Sequence, residues 1–361
     1  MVRRAMVRGA MVFDPTRRDE VEDTLRRLRR PTLLLVSDTD AWGRSDPLRA
    51  MARAWSILTE DDARSVFVIR DAVHPLPGGV DRAVSALRRV PPESGIALHT
   101  AADSPHNAFR VRLAALTGHG LVELVPEERA PTLFLLFDGA DASRIARVLA
   151  GRGGTDVEAE RVLADTLHAL GIRVFAVVPH PLERADAVGP APVAEEHARA
   201  TLVCAEHARA TLVAVGADRQ SWAVLSSPTV EGIACGWIPV YQHGRTRLER
   251  YIGSPEGPRN RQEAPWFRAA DLLAASDLRD LIAPRPGVDA DHEAFVAGVL
   301  LGWSARRVPR AGVELRDDRL WALARTWAHA SAPTESAARI EELASRIRAG
   351  ITAVAEKPGE A

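Results

Sequence analysis

Short apolar runs alternating with helix-period segments constrain this chain more than any other feature. Thr32–Val36, Ser65–Ile69, Ile96–His99, Leu121–Val125, Leu133–Phe137 and Ile172–Val178 are each four to seven residues long. Continuous runs of this length read as strands buried on both faces. Between them the apolar residues recur at helical spacing. Ser45-Asp46-Pro47 is helix-start chemistry, and Leu48, Met51, Trp55 and Leu58 follow on one face. Val80, Val84 and Leu87 mark a second helix, and Phe109, Leu113 and Leu116 a third. Ile145, Val148 and Leu149 mark a fourth, and Val162, Leu163, Leu167 and Leu170 a fifth. Further strands are expected at Thr211–Val215, Trp222–Leu225 and Ile238–Tyr241. The alternation predicts an α/β protein with parallel sheets covered by helices.

The strand series starts twice. Pro131-Thr132-Leu133 repeats Pro31-Thr32-Leu33, and His180-Pro181-Leu182 repeats His74-Pro75-Leu76. The echo points either to two similar Rossmann-like parallel-sheet domains with a cleft between them, which is the expectation, or to one large sheet in which the echoes are chance. The expected division is an N-terminal helical extension over 1–30, a first α/β domain over 31–130, a second over 131–260 and C-terminal helices over 261–361. Those last helices are expected near 266–282, 291–304, 317–330 and 334–352. A separate, near-perfect repeat, Glu196–Val203 against Glu206–Val213, is too short to be a solenoid unit and reads as a local duplication.

Composition removes several classes of function. Of 47 basic residues only Lys357 is a lysine, a bias that fits a GC-rich bacterial coding sequence. Lys357 lies in a polar tail, so a P-loop, a pyridoxal Schiff base and a protein kinase all lack their lysine. The formal net charge is −1 and aromatics make up 5%, so neither a basic field nor a stacking surface points to nucleic acid. Cys204 and Cys235 have no zinc spacing and fit a reducing compartment. No apolar run approaches the ~20 residues of a membrane span. A soluble, cytoplasmic protein without a transmembrane segment is the expectation.

Ligands of open parallel sheets bind at the carboxyl ends of strands, so candidate chemistry is sought there. His180, fixed between Pro179 and Pro181 after a strand, is placed either as a proton or phosphate donor or as part of a rigid turn. Ser226-Ser227-Pro228-Thr229 follows the next strand. Ser227 as cap and Pro228 in the first turn make either a plain helix start or an anion site. Glu231, one turn on, is an ordinary solvated carboxylate or a partner for sugar hydroxyls. Ser37-Asp38-Thr39-Asp40 follows the first strand and is either a turn or a Mg²⁺ pair. That pair resembles the phosphatases of the haloacid dehalogenase type and the metal site of GT-A transferases. Neither a dinucleotide-binding Gly-x-Gly-x-x-Gly after an early strand nor a Gly-x-Ser-x-Gly elbow occurs.

The strand at 172–178, Ser226-Ser227-Pro228-Thr229, Glu231 and then Gly236-Trp237-Ile238-Pro239-Val240 together resemble the donor half of GT-B glycosyltransferases. The order Phe137-Asp138-Gly139, His180-Pro181 and Ser226-Ser227 is similar to the motif set of bacterial sialyltransferases of that fold, with Phe137 where the family has an acid. The resemblance implies Asp138 as general base and His180 as assistant to the departing nucleotide. Ser226, Ser227, Thr229 and Glu231 would then bind the donor's phosphate and sugar. It implies a glycosyltransferase using a nucleotide sugar, a CMP-sugar in the sialyltransferase-like version, with an unidentified acceptor and no resident cofactor or metal. The alternatives are a Mg²⁺-dependent phosphate-transferring or phosphatase-like enzyme using Asp38 and Asp40, and a non-catalytic partner protein.

Overall fold

The computed structural model describes residues 7–16, 18–28, 33–39, 45–60, 63–70, 73–75, 78–100, 104–126, 128–153, 156–178, 180–184, 222–226, 237–242, 245–250, 263–265, 281–282, 290–311, 317–331 and 335–355. In chain order these form β1 (Val7–Phe13), α1 (Arg18–Leu28), β2 (Leu33–Ser37), α2 (Pro47–Thr59), β3 (Ser65–Arg70), β4 (Val73–Pro75), α3 (Gly79–Leu87) and β5 (Ser94–Ala97). They continue with α4 (Pro105–Thr117), β6 (Leu121–Glu123), β7 (Phe134–Asp138), α5 (Gly139–Leu149), α6 (Asp156–Ala169), β8 (Arg173–Val177) and β9 (Leu182–Arg184). The remainder is β10 (Val224–Leu225), β11 (Trp237–Gln242), β12 (Arg245–Arg250), β13 (Glu263–Pro265), α7 (Ala290–Arg306), α8 (Asp317–Ser331) and α9 (Ala337–Ala355). The protein is α/β, as the alternation predicts. No helix among the described residues is long and apolar enough to cross a membrane.

The chain divides into two compact units, residues 1–100 with 126–189, and residues 101–125 with 190–361. This is not a division at 130/131. In the first unit the strands run β8-β5-β7-β3-β1-β2. β1 is parallel to β2 and β3, and β5 is parallel to β8, whereas β7 is antiparallel to both β3 and β5. The strand expected to open a second domain therefore lies inside the first unit's sheet, and the sheet is mixed rather than parallel. A buried strand shows the same apolar run in either direction, so the pattern carries no sign of its orientation.

The N-terminal segment is also different from its expected helical extension. Its first element is β1, a central strand in which Ala10, Met11 and Val12 are fully buried. Gly9 belongs there because the ring of Phe67, its register partner on β3, occupies the space of a side chain. The same device recurs where Phe137 of β7 covers Gly95 of β5. A Cβ would meet either ring at under 2.5 Å. β2 ends the order and is less covered, with Leu35 46% exposed. Helix α2 starts as its sequence predicts, with the Asp46 side chain accepting from the amide of Arg49 and proline in the first turn. Leu48, Met51, Trp55 and Leu58 are all buried, and Trp55 meets Phe137 edge-on at 5.7 Å.

The echoing His-Pro-Leu segments are neighbours. β4 and β9 pair antiparallel, with His74 opposite Glu183 and Pro75 opposite Leu182. They are partners in one small sheet of the first unit, not equivalent positions of two domains.

In the second unit α4 is buried on every side, and two of its polar residues are held by hydrogen bonds. Arg110 donates to the Glu123 carbonyl at 2.7 Å, and Asn107 accepts from the Val125 amide at 2.7 Å. β10 pairs parallel with β6, but β11, β12 and β13 form an antiparallel sheet in place of an expected parallel one. Three of the four expected C-terminal helices occur within a few residues of their expected positions as α7, α8 and α9; the one expected near 266–282 lies, but for 281–282, outside the described residues. α7 and α9 cross at very close range through Gly298, Gly302 and Gly350.

Candidate functional site

The first unit's sheet reverses its order at β1. The connection from β1 leads to β2 on one side, and the next connection leads back across β1 to β3 on the other. Right-handed crossovers in opposite directions leave a crevice outside the carboxyl ends of the strands at such a point. Here those ends are Phe13 of β1 and Arg70 of β3.

Two carboxylates stand at this edge. Asp14 follows β1 and folds back as an Asx turn, accepting from the amide and the hydroxyl of Thr16 at 2.8 and 2.7 Å. Asp38 follows β2 and is 5% exposed. Its amide donates to the Phe13 carbonyl at 2.9 Å, which ties the ends of β1 and β2 together. Its carboxylate accepts from the Ser45 hydroxyl at 3.1 Å, and its carbonyl accepts from the Asp46 amide at 2.6 Å. The start of α2 is thereby fastened to the same edge. Ionised carboxylates only accept, so their natural ligands are hydroxyl and amine donors. Asp40 lies outside the described residues. Among the described residues no group of three or more His, Cys, Asp or Glu is placed to hold a metal ion.

Further along the edge, beyond β5 and β8, His99, Thr100 and His180 come together. All three are at most 2% exposed. His180 Nδ1 lies 2.8 Å from the Val177 carbonyl and Nε2 lies 2.8 Å from the Thr100 hydroxyl. The His99 ring is 5.8 Å away, centroid to centroid. The Gly79 position at the start of α3 packs on the Pro181 carbonyl. A carbonyl can only accept, so Nδ1 carries the proton and Nε2 of the neutral ring accepts from Thr100. Burial pushes His180 down to about 4; the Val177 bond opposes this and the Arg82 charge adds to it. At neutral pH its one ring proton is committed to Val177, which does not leave it free for a departing phosphate.

Asp138 stands elsewhere. It is exposed, and its side chain caps α5 by accepting from the amides of Ala140 and Asp141. Gly139 is required because a Cβ there would lie 2.0 Å from the Ala63 carbonyl oxygen. The Asp-Gly pair is thus a helix start. Asp138 is opposite Ser65, the first residue of β3, and five residues from the carboxyl end at Arg70. At ~3.3 Å per residue this is roughly 16 Å along the sheet. Asp138 and His180 are therefore at opposite ends of it and are not brought together. Ser226 follows β10 in the second unit and is half-buried. Ser227, Thr229 and Glu231 lie outside the described residues, as do Cys204 and Cys235.

Sequence reasoning missed Asp14 because it missed β1. The signal was present: the apolar run Ala10–Phe13 followed by Asp14-Pro15-Thr16, a strand and then turn residues. Neither a protein-family model nor a curated protein matches this chain.

Proposed function

We propose that this protein is a glycosyltransferase that takes a sugar from a nucleotide-activated donor to an acceptor hydroxyl. The observation that carries the reading is the reversal of strand order at β1, with Asp14 and the buried Asp38 on the carboxyl edge beside it. A nucleotide sugar presents many hydroxyl donors, and accept-only carboxylates at a switch-point crevice suit its ribose and sugar. The donor would lie over the ends of β1 and β3. Asp138, at the far end of the sheet, is assigned no part in the chemistry, and His180 is assigned a positioning role through Thr100.

The test is thermal stability against CMP, UDP, GDP and dTDP, each with and without Mg²⁺. A ligand at 100 times its dissociation constant stabilises the folded state by about 2.7 kcal/mol. A shift with one nucleotide that is lost in Asp14→Asn is the expected result, and CMP would favour the sialyltransferase-like donor. No shift with any of the four removes the reading. A shift that appears only with Mg²⁺ and is unaffected by Asp14→Asn turns it toward the phosphate enzyme.

A further inference from the structure

On the side of α2 and α5 away from the sheet lies a cavity of about 360 Å³. α2 contributes Arg49, Arg53 and Ser56, and α5 contributes Ser143 and Arg147. Its volume falls in the range of small-molecule sites. Three guanidinium groups line it, and no carboxylate does. Arg49 has a partner in Asp46 at 3.5 Å. Arg147 Nε donates to the Ser143 carbonyl at a long 3.4 Å, and no carboxylate pairs with Arg147 among the described residues. Arg53 has no acidic partner within 4.0 Å among the described residues, and Arg53 and Arg147 are both exposed.

This grouping works against the free protein. Arg49 and Arg53 are four apart on one helix, a like-charge spacing that costs a few tenths of a kcal/mol. The whole chain has a net charge of −1, so the cluster is not part of a general basic field. About one helical turn separates Arg49 from Arg53, ~6 Å along the axis, comparable with the span between the two end phosphates of a three-phosphate chain. Arginine forks match phosphate oxygens two at a time.

We infer that this groove binds a compact polyphosphate anion, with Arg49, Arg53 and Arg147 on its oxygens and the Ser56 and Ser143 hydroxyls beside them. The site is on the exposed face of α2 and shares no residue with the proposed donor crevice.

The probe is inorganic tripolyphosphate, titrated calorimetrically into the full chain at low salt. Saturable binding is expected, weakened at least tenfold in R53Q/R147Q. The control R88Q/R89Q removes the same charge from exposed arginines of another surface, and is expected to change affinity less than twofold. R53K/R147K keeps the charge and should recover part of the affinity, which a damaged fold would not. Absence of saturable binding overturns the inference. So does an equal loss in the two glutamine pairs, which would make the attraction general charge rather than a site.

Discussion

Nε2 of His180 lies 2.8 Å from the hydroxyl of Thr100, a residue 80 positions away in the sequence, and both are buried. The pair fixes the loop after β8 against the end of β5, and the burial of the histidine makes stability depend on pH. The histidine is pushed down from 6.5 to about 4. Between those values the unfolded chain holds a proton that the folded chain does not. Stability is therefore fully present above about 6.5, falls as pH drops toward 4, and is flat below. The contribution is of order 3 kcal/mol over the window. Urea midpoints at pH 7, 6 and 5 should fall in step. His180→Asn, which can still donate to Val177, should flatten the slope. An unchanged slope in the variant would assign the dependence to other groups.

Asp138 is a helix cap, and its substitutions should behave accordingly. Asp138→Ala is expected to cost about 1 kcal/mol, and Asp138→Asn almost nothing, because asparagine caps equally well. Loss of a general base costs 10²–10⁴ in rate. If transfer activity is found, Asp138→Asn should retain it within a few-fold, and a loss of a hundredfold or more would return Asp138 to the chemistry.

Arg112, in the middle of α4, is 5% exposed and lies 4.7 Å over the ring of Trp327, with burial pushing it down to about 9. No carboxylate pairs with it among the described residues, and a buried charge without such a partner is costly. Arg112→Met keeps the apolar stem and should leave stability unchanged or raise it by ~1–2 kcal/mol. A loss of more than 1 kcal/mol in denaturant titration would show that the contact with the indole outweighs desolvation.

The crossing of α7 and α9 should tolerate no added methyl. A Cβ on Gly298 would lie 2.0 Å from the Ile347 carbonyl oxygen, and one on Gly350 would lie 2.1 Å from that of Phe295. Alanine normally gains about 1 kcal/mol over glycine within a helix. Here overpacking of ~1–3 kcal/mol should reverse the sign. Gly298→Ala is expected to lower the thermal midpoint, while Gly151→Ala, which meets nothing within 4 Å, should not.

Local features were legible in the sequence, and long-range pairing was not. Asp46-Pro47 with Leu48, Met51, Trp55 and Leu58 contained the whole of α2, and α7, α8 and α9 were readable from their helical composition and the polar and proline breaks between them. β1 was hidden because Arg8 and Gly9 break its apolar run, and Gly9 makes sense only once the Phe67 ring is known to lie over it. The His-Pro-Leu echo was real as a pattern, but its cause is a strand pairing between β4 and β9 that no local signal encodes. For the candidate site, the Asp38 turn and the strand end at His180 were readable. Asp14 was not, and the distance between Asp138 and His180 followed from the direction of β7, which a buried apolar run does not reveal.

That one reversed strand also orders the birth of the sheet. β3 and β5 have no hydrogen bonds to each other; β7 joins them. A ribosome that has released the chain as far as Thr100 has delivered β5 with neither of its partners and β3 with one open edge. At 5–20 residues per second the next 38 residues take roughly 2–8 s. During that interval three strand edges stand bare, both of β5 and one of β3, and unpaired edges recruit other chains. Protection of the nascent chain, rather than the stability of the finished sheet, then governs how much of this protein reaches its folded form.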